Sequence, residues 1–463
     1  MKQKRRFLKQ IAASACALLL CAAGFRTVPA LTANAAVVGD CDGNDQIDLA
    51  DAELLQAYLL GEQPDIRGGD YDNSGSINAA DLTLLKRRCL QNHNPQEETV
   101  TLMVYISGAN LESEYGEVSA DLAEITAANY SDSLQVVAMT GGAAAWHNEL
   151  SDADGNYRIT VNAEGASSEK MDGENRDMAS SETLQNFITE TAEAYPADRY
   201  ALIIWGHGAG PLYGLCYDGI SGKTMYLPQL RDALAGADVH FDWIGFDSCI
   251  MGTLETAYAV KDYADYMVAC PAVMSSLGWA YEPFITKWSA DPGCPTADIL
   301  ECIADSSVDA NIDTGNSAAM ASYDLQYIEP LTDAVYTYIN DLYYAYRESG
   351  ITDIYEARCK MLDSEAEGFS TYDTVDLLSL VTLLPAQTHS EAVTDLVKQT
   401  VMHRALLNAG DFCGIMMWFP EKYPIDGLTL MPSVYRDLGL DATYIAQMRE
   451  LSSAIHSETT PVG

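Results

Sequence analysis

The chain has 463 residues, 48% hydrophobic and 20% charged, with a formal net charge of −41. That length calls for two or three domains with buried cores, and the composition is that of a folded protein. The acidity argues against nucleic acid or an anionic membrane as partner and favours cationic peptides, although it also serves plain solubility.

The basic start (Lys2, Lys4, Arg5, Arg6) runs into an apolar stretch from Ile11 to Phe25 and then Ala33-Asn34-Ala35. This is the order of a secretory signal peptide. The stretch is shorter than the roughly 20 residues that span a bilayer. We expect residues 1–35 to be removed and the product to be secreted with no membrane span; a lipoprotein is the competing reading. Losing the six Lys/Arg of that segment takes the net charge from −41 to −47. Nine cysteines remain, irregularly spaced and without the CxxC pairs of a zinc site. An odd number leaves at least one thiol unpaired.

A repeat with a 30-residue period follows: Asp40-Cys41-Asp42-Gly43-Asn44-Asp45-Gln46-Ile47-Asp48-Leu49-Ala50-Asp51 overlays Asp70-Tyr71-Asp72-Asn73-Ser74-Gly75-Ser76-Ile77-Asn78-Ala79-Ala80-Asp81. Oxygen-bearing side chains fall at positions 1, 3, 5, 9 and 12 of both copies. Calcium takes six to eight hard oxygen ligands, and this spacing curls a loop so that they converge. Each loop leads into an amphipathic stretch, Leu49 to Leu60 and Leu82 to Leu90. The doubled unit resembles a type I dockerin over Val38 to about Gln91. The resemblance implies two Ca2+ ions, one held by Asp40, Asp42, Asn44, Asp51 and the Gln46 carbonyl. The other is held by Asp70, Asp72, Ser74, Asp81 and the Ser76 carbonyl, with Asp48 and Asn78 reaching through water. It further implies a cohesin partner on a scaffold or cell surface, read by Leu49-Ala50 and Ala79-Ala80, and a Cys41–Cys89 pairing between module ends. Asp45 stands where the first loop's turn glycine would be, which predicts weaker binding there.

Residues 92–98 read as a polar linker. Beyond them, short apolar runs (Thr101 to Ile106, Leu134 to Met139, Tyr200 to Trp205, Phe241 to Phe246) alternate with amphipathic stretches (Val118 to Ala128, Glu182 to Ala194, Leu227 to Ala235, Gly252 to Lys261). Such alternation predicts an α/β fold with a mostly parallel sheet covered on both faces, and ligands gather at the carboxyl ends of its strands. Two strands end in reactive residues: Trp205-Gly206-His207-Gly208 and Asp247-Ser248-Cys249-Ile250-Met251-Gly252. Delivery of Cys249 to the start of a helix predicts a lowered thiol pKa and a thiolate nucleophile, with His207 as base. No third orienting residue is evident, so a dyad is expected.

These segments, with Met103-Val104-Tyr105-Ile106-Ser107-Gly108-Ala109-Asn110-Leu111-Glu112, Glu255-Thr256-Ala257-Tyr258 and Gly278-Trp279-Ala280-Tyr281, resemble the clostripain family of cysteine peptidases. The resemblance covers most of residues 99 to about 290. It implies a caspase-like fold, an oxyanion hole from the Gly208 and Cys249 N–H groups, and a pocket in which Asp247 pairs with Arg or Lys before the cleaved bond. It also implies self-cleavage between His207 and Cys249, for which Lys223-Thr224 is the candidate. Ala269-Cys270-Pro271 departs from the family's Ser-Glu pair, which puts the pocket floor in doubt and makes Cys270 a rival thiol. Residues 291–463 hold amphipathic stretches (Leu325 to Tyr346, Val375 to Leu384, Glu391 to Asn408) and an apolar run, Cys413 to Phe419, expected to pack on the 99–290 core. A catalytically dead relative that binds peptides on the same scaffold, and an active one preferring non-basic residues, are the alternatives.

Overall fold

In the computed structural model the described residues are 98–171, 176–364, 373–383, 389–410, 412–419 and 425–459, with 28–29, 39, 41, 49–61, 66, 68–69, 76–78, 81–82 and 85 nearer the N-terminus. The chain divides into two units, residues 1–95 and 96–463.

The larger unit is built on a nine-stranded sheet. Its strands are β1 (Val100–Ser107), β2 (Leu134–Gly141), β3 (Tyr157–Asn162), β4 (Gly165–Lys170), β5 (Arg199–Trp205), β6 (Phe241–Asp247), β7 (Ala264–Ala269), β8 (Ala318–Asp324) and β9 (Val401–Leu407). They lie in the order β9-β8-β7-β6-β5-β1-β2-β3-β4. Strands β2, β1, β5, β6 and β7 run parallel, and the outer strands join antiparallel.

Every residue of β1 is buried, and its side chains alternate between two cores as strand pleating requires. Leu102, Val104 and Ile106 face one core with α2 (Glu117–Ala127), α6 (Tyr281–Ala290) and α7 (Thr296–Asp309). Met103 and Tyr105 face the other, with α3 (Ser181–Ala194), α4 (Leu227–Ala237), α5 (Leu254–Val260) and α8 (Ile328–Ser349). Sealing both faces explains the near-continuous apolar runs in the sequence.

The C-terminal third is not a separate layer. It supplies β8 and β9 to the same sheet, and the segment read as one amphipathic stretch, Glu391 to Asn408, is a helix, α9 (Ser390–Thr400), that turns directly into β9. It also grips α5. Glu255, fully enclosed on α5, accepts hydrogen bonds from the Trp418 amide at 3.0 Å and from the Tyr435 hydroxyl. Burial pushes its carboxyl pKa upward.

In the smaller unit, Ala52 and Leu55 of the helix Leu49–Leu60 pack with Cys41, Ile77, Leu82 and Leu85. The last positions of the two acidic loops, Asp51 and Asp81, are both buried. Asp51 accepts from the Cys41 N–H at 2.6 Å and Asp81 from the Asn78 N–H at 2.8 Å. The entrances of the loops meet where the Gly39 N–H donates to the Gly68 carbonyl at 2.9 Å. Ser76–Ile77 pairs antiparallel with Val28–Pro29. The expected ligands Asp40, Asp42, Asn44, Gln46, Asp70, Asp72 and Ser74, and Cys89, lie outside the described residues.

Among the described residues no helix is long and apolar enough to cross a membrane.

Candidate active site

Strands β1, β5 and β6 end side by side, and between β1 and β5 the winding of the sheet reverses, since β2 follows on one flank and β5 on the other. A crevice opens at such a point. The pairings Ile106 with Trp205 and Trp205 with Asp247 put three strand ends in one row. The residues just past them are therefore neighbours: Asn110, His207 and Cys249.

Two glycines make that approach possible. Gly206 sits at φ +143, and its N–H donates to the Asp247 carbonyl at 3.2 Å. A Cβ on Gly208 would overlap the Cys249 carbonyl oxygen and lie 3.1 Å from the Cys249 nitrogen. Only glycine lets the two reactive segments touch backbone to backbone. Gly208 also bridges antiparallel to Leu215, through the Ala209 N–H to Gly214 and the Cys216 N–H to the His207 carbonyl. That ladder uses the flanking amides and not its own.

The His207 ring is held on both sides. Its Nε2 lies 2.7 Å from Asn110 Oδ1, and Tyr217 meets the ring edge to face at 6.4 Å. Burial lowers the imidazole pKa from its ordinary value. The half-buried Cys249 thiol accepts from the Met274 N–H at 3.3 Å. Burial pushes the thiol pKa up, the Asp247 and Glu117 charges push the same way, and the Met274 amide opposes them. Both groups therefore rest in their neutral forms.

This overturns the expected thiolate. The following helix, α5, starts at Leu254 behind a Thr253 cap whose hydroxyl accepts from the Thr256 N–H at 3.2 Å. Residues 250–252 instead run as an irregular segment pinned to the chain beside it. The Ile250 N–H donates to Ala272 at 2.7 Å, the Gly252 N–H to Cys270 at 2.8 Å, and the Gly252 carbonyl accepts from Met416 at 3.0 Å. Cys249 is thus away from the helix terminus, where the dipole no longer reaches it. Three non-glycine residues around the site hold left-handed backbone: Ile250 (φ 59), Ala109 (φ 43) and Cys216 (φ 51). Such strain costs roughly 1–3 kcal/mol per residue and collects at functional sites; at a β-branched residue such as Ile250 it is rare.

Asp247 is 3% exposed, with the Tyr281 hydroxyl donating to its Oδ2 at 2.9 Å. Burial pushes its carboxyl up to about 7, against the hydrogen bonds from Tyr281 and the Trp279 amide. It has company that sequence reading did not find. Asp121 on α2 is also buried and accepts from Trp205 Nε1 at 2.7 Å. Burial and then the Asp247 charge raise its pKa well above the carboxylate range. A Cβ on Gly278 would sit 3.5 Å from Asp121 Oδ2 and 3.5 Å from Asp247 Oδ1, so both carboxylates crowd one spot. Glu117 at the start of α2 and Glu124 two turns later lie on the same helix, Glu124 accepting from the Tyr281 N–H at 2.8 Å. Their spacing from Asp121, four and three residues, puts all three on one helical face, the signal that could have exposed them.

Ala269-Cys270-Pro271 is wholly buried, and Cys270 Sγ donates to the Ala272 carbonyl at 3.1 Å. Burial pushes that thiol up to about 12, which removes Cys270 as a rival nucleophile. Lys223 is exposed on the strand Lys223–Met225, paired with Leu215–Asp218, and its Nζ meets Asp177 at 2.8 Å.

A parallel-centred sheet covered on both faces, with a thiol and an imidazole past adjacent strand ends, defines the caspase-like class of α/β folds. Residues 104–409 match the clostripain family and residues 38–90 the dockerin type I domain. The chain belongs to the clostripain family. Clostripain of Hathewaya histolytica is 24% identical over 282 residues, which are 53% of this chain and 52% of that protein, so the chain spans about half the length of that relative. An inactive zymogen C11 protease from Parabacteroides distasonis superposes with a TM-score of 0.57 at 19% identity, covering 74% of this chain and 98% of the other. A secreted C11 cysteine protease from Bacteroides thetaiotaomicron, solved with an irreversible peptide inhibitor, gives 0.54 at 18% identity, with 74% and 100% covered.

Proposed function

We propose that this chain is a secreted cysteine endopeptidase that cleaves after Arg or Lys. The observation carrying this reading is the close backbone approach of Gly208 to Cys249, with two buried carboxylates, Asp247 and Asp121, near one spot beside Gly278. Because thiol and imidazole both rest neutral, attack is coupled to proton transfer. Cys249 Sγ bonds to the scissile carbonyl carbon as its proton passes to His207, which then protonates the departing amine as the C–N bond breaks. Water, deprotonated by His207, releases the acyl group and restores the thiol. The Gly208 and Cys249 N–H groups supply the oxyanion hole.

Asp247 and Asp121 account for the basic preference. Burial raises the pKa of both carboxyls, and a guanidinium or ammonium entering beside them would favour their ionised forms and be bound in return. Ala269-Cys270-Pro271 lies buried and departs from the family's Ser-Glu pair, so this reading rests on Asp247 and Asp121 and not on that segment. A fluorogenic positional-scanning library run on the protein and on its Cys249→Ala variant tests the reading. Cleavage confined to Arg and Lys, and lost in the variant, supports it. No hydrolysis of any member favours the dead, peptide-binding relative, and cleavage after neutral residues favours the non-basic alternative.

The remaining assignments follow the chain: a signal peptide over residues 1–35, a dockerin module over 36–91, a linker over 92–98 and the peptidase from 99, with 291–463 completing it. The module docks on a cohesin of a scaffold or cell surface. Two buried carboxylates at equivalent loop positions, Asp51 and Asp81, fit a calcium role, and the loop residues before them supply the other hard oxygens. Exposed Lys223 is the autolysis site; identical fragments from the protein and from Cys249→Ala would sink that assignment.

A further inference from the structure

We propose that Asn110 is the positioning residue of the catalytic pair, turning the dyad expected from sequence into a thiol–imidazole–amide triad. The inference rests on the peptidase reading above and deepens it. Asn110 Oδ1 stands 2.7 Å from His207 Nε2. An amide oxygen only accepts, so Nε2 carries the hydrogen, and in a neutral imidazole the remaining nitrogen, Nδ1, keeps the lone pair. One contact thereby selects the tautomer, fixes the ring plane and names the basic atom, the job done by the third member of nucleophile–base sets in general.

The amide is itself held firmly. Asn110 follows Ala109, whose left-handed backbone (φ 43) turns the chain out of β1 into the short helix α1 (Ala109–Ser113). The Gly108 N–H donates to Gly141 at 2.9 Å, the Ser113 hydroxyl to the Ala109 carbonyl at 2.7 Å, and the Glu114 N–H to the Asn110 carbonyl at 2.9 Å. Strain kept at residue 109 serves to aim residue 110. The described contacts of the ring are Asn110 and Tyr217, with no charged partner. Asn110 is therefore the polar group the imidazole meets when it gains its proton. A hydrogen bond from a cationic donor is stronger than one from a neutral donor, so the contact tightens as the reaction proceeds and favours the transition state over the ground state.

Asn110→Ala and the near-isosteric Asn110→Asp, made in the full chain, test this with an Arg-containing peptide substrate across pH 5–9. Correct acid–base geometry contributes about 10²–10⁴-fold, so Asn110→Ala should lower kcat by roughly 10- to 100-fold with KM changed less than about twofold. Asn110→Asp keeps the acceptor and adds a negative charge that favours imidazolium. It should retain most of kcat at its plateau while the acid limb of kcat moves to higher pH. Nitrogen-15 NMR of the histidine rings supplies a readout independent of turnover: His207 as the Nε2–H tautomer in the parent chain, mixed tautomers in Asn110→Ala. An unchanged kcat and pH limb in Asn110→Ala, the same limb in both variants, or an Nδ1–H tautomer in the parent would overturn the proposal. Loss of all cleavage by the parent chain with the Nε2–H tautomer intact would instead defeat the peptidase reading and leave the positioning contact standing.

Discussion

In the proposed pocket Asp247 would meet a basic substrate side chain as its ionised form, and its burial sets the pH at which that form is present. Its carboxyl is pushed up to about 7. A group raised in this way holds its proton as pH falls, and the ionised form that a basic substrate side chain needs is lost through that window. From pH 8 to pH 6 the ionised fraction in the free protein drops roughly tenfold. Peptides carrying Arg or citrulline before the scissile bond share the Cys249–His207 chemistry, so the ratio of their kcat/KM values cancels the titration of the pair. We expect the Arg-to-citrulline ratio to fall about tenfold from pH 8 to pH 6. A charge-assisted hydrogen bond contributes about 1.5–3 kcal/mol, so Asp247→Asn should reduce the ratio at pH 8 by roughly 10- to 150-fold and flatten its pH dependence. Stability should move the opposite way. Because the folded chain binds this proton more tightly than the unfolded chain, the acid destabilises the fold increasingly as pH rises from about 4 to 7. At about 1.4 kcal/mol per tenfold, the move from 3.8 to about 7 amounts to roughly 4 kcal/mol at most. Asp247→Asn should therefore raise the melting temperature at pH 8 and leave it nearly unchanged near pH 4. A ratio that stays level from pH 6 to 8, or one indifferent to Asp247→Asn, refutes the reasoning.

Gly208→Ala forces a methyl into the Cys249 backbone and should cut kcat by on the order of 10²-fold or more, since displacements near 1 Å at a reacting centre cost that much; steady-state kinetics with circular dichroism as a fold check decides it. Burial raises the Cys249 thiol pKa, so iodoacetamide should alkylate it more slowly than free cysteine at pH 7, with the rate still climbing above pH 9; mass spectrometry of the labelled peptide follows it, and a plateau by pH 7 would contradict the neutral resting pair. Calcium titration calorimetry on the full chain should give about two sites, and about one after either Asp51→Ala or Asp81→Ala. Unchanged stoichiometry in both variants would remove these residues from the ligand sets.

The sheet and its reactive ends were legible because the central strands are sealed on both faces and end at short stretches carrying His207 or Cys249. That is why Trp205-Gly206-His207-Gly208 and Asp247-Ser248-Cys249 stood out. The start of the next helix was misplaced because 250–252 resembles its first turn, while its conformation is set by bonds to Cys270, Ala272 and Met416, contacts no local window contains. Asn110 was in view within a quoted motif, yet its partner lies 97 residues away and reaches it only through the pairing of β1 with β5. Asp121 was hidden by the same kind of distance from Asp247. The hairpin of β3 and β4 left little pattern, because β4 is exposed along its whole length. In Glu391 to Asn408 the helical period of α9 masked the strand that follows it without a turn residue between.

Three bonds tie the chain just after Cys249 to residues more than 150 positions later, and they bear on the order in which the site can assemble. The Gly252 carbonyl and the Glu255 carboxylate take their partners from Met416 and Trp418, and Glu255 takes another from Tyr435. During synthesis, Cys249 and His207 are both present long before those donors are made. A growing chain thus carries its thiol and imidazole in a setting that lacks these bonds until Met416, Trp418 and Tyr435 have been added.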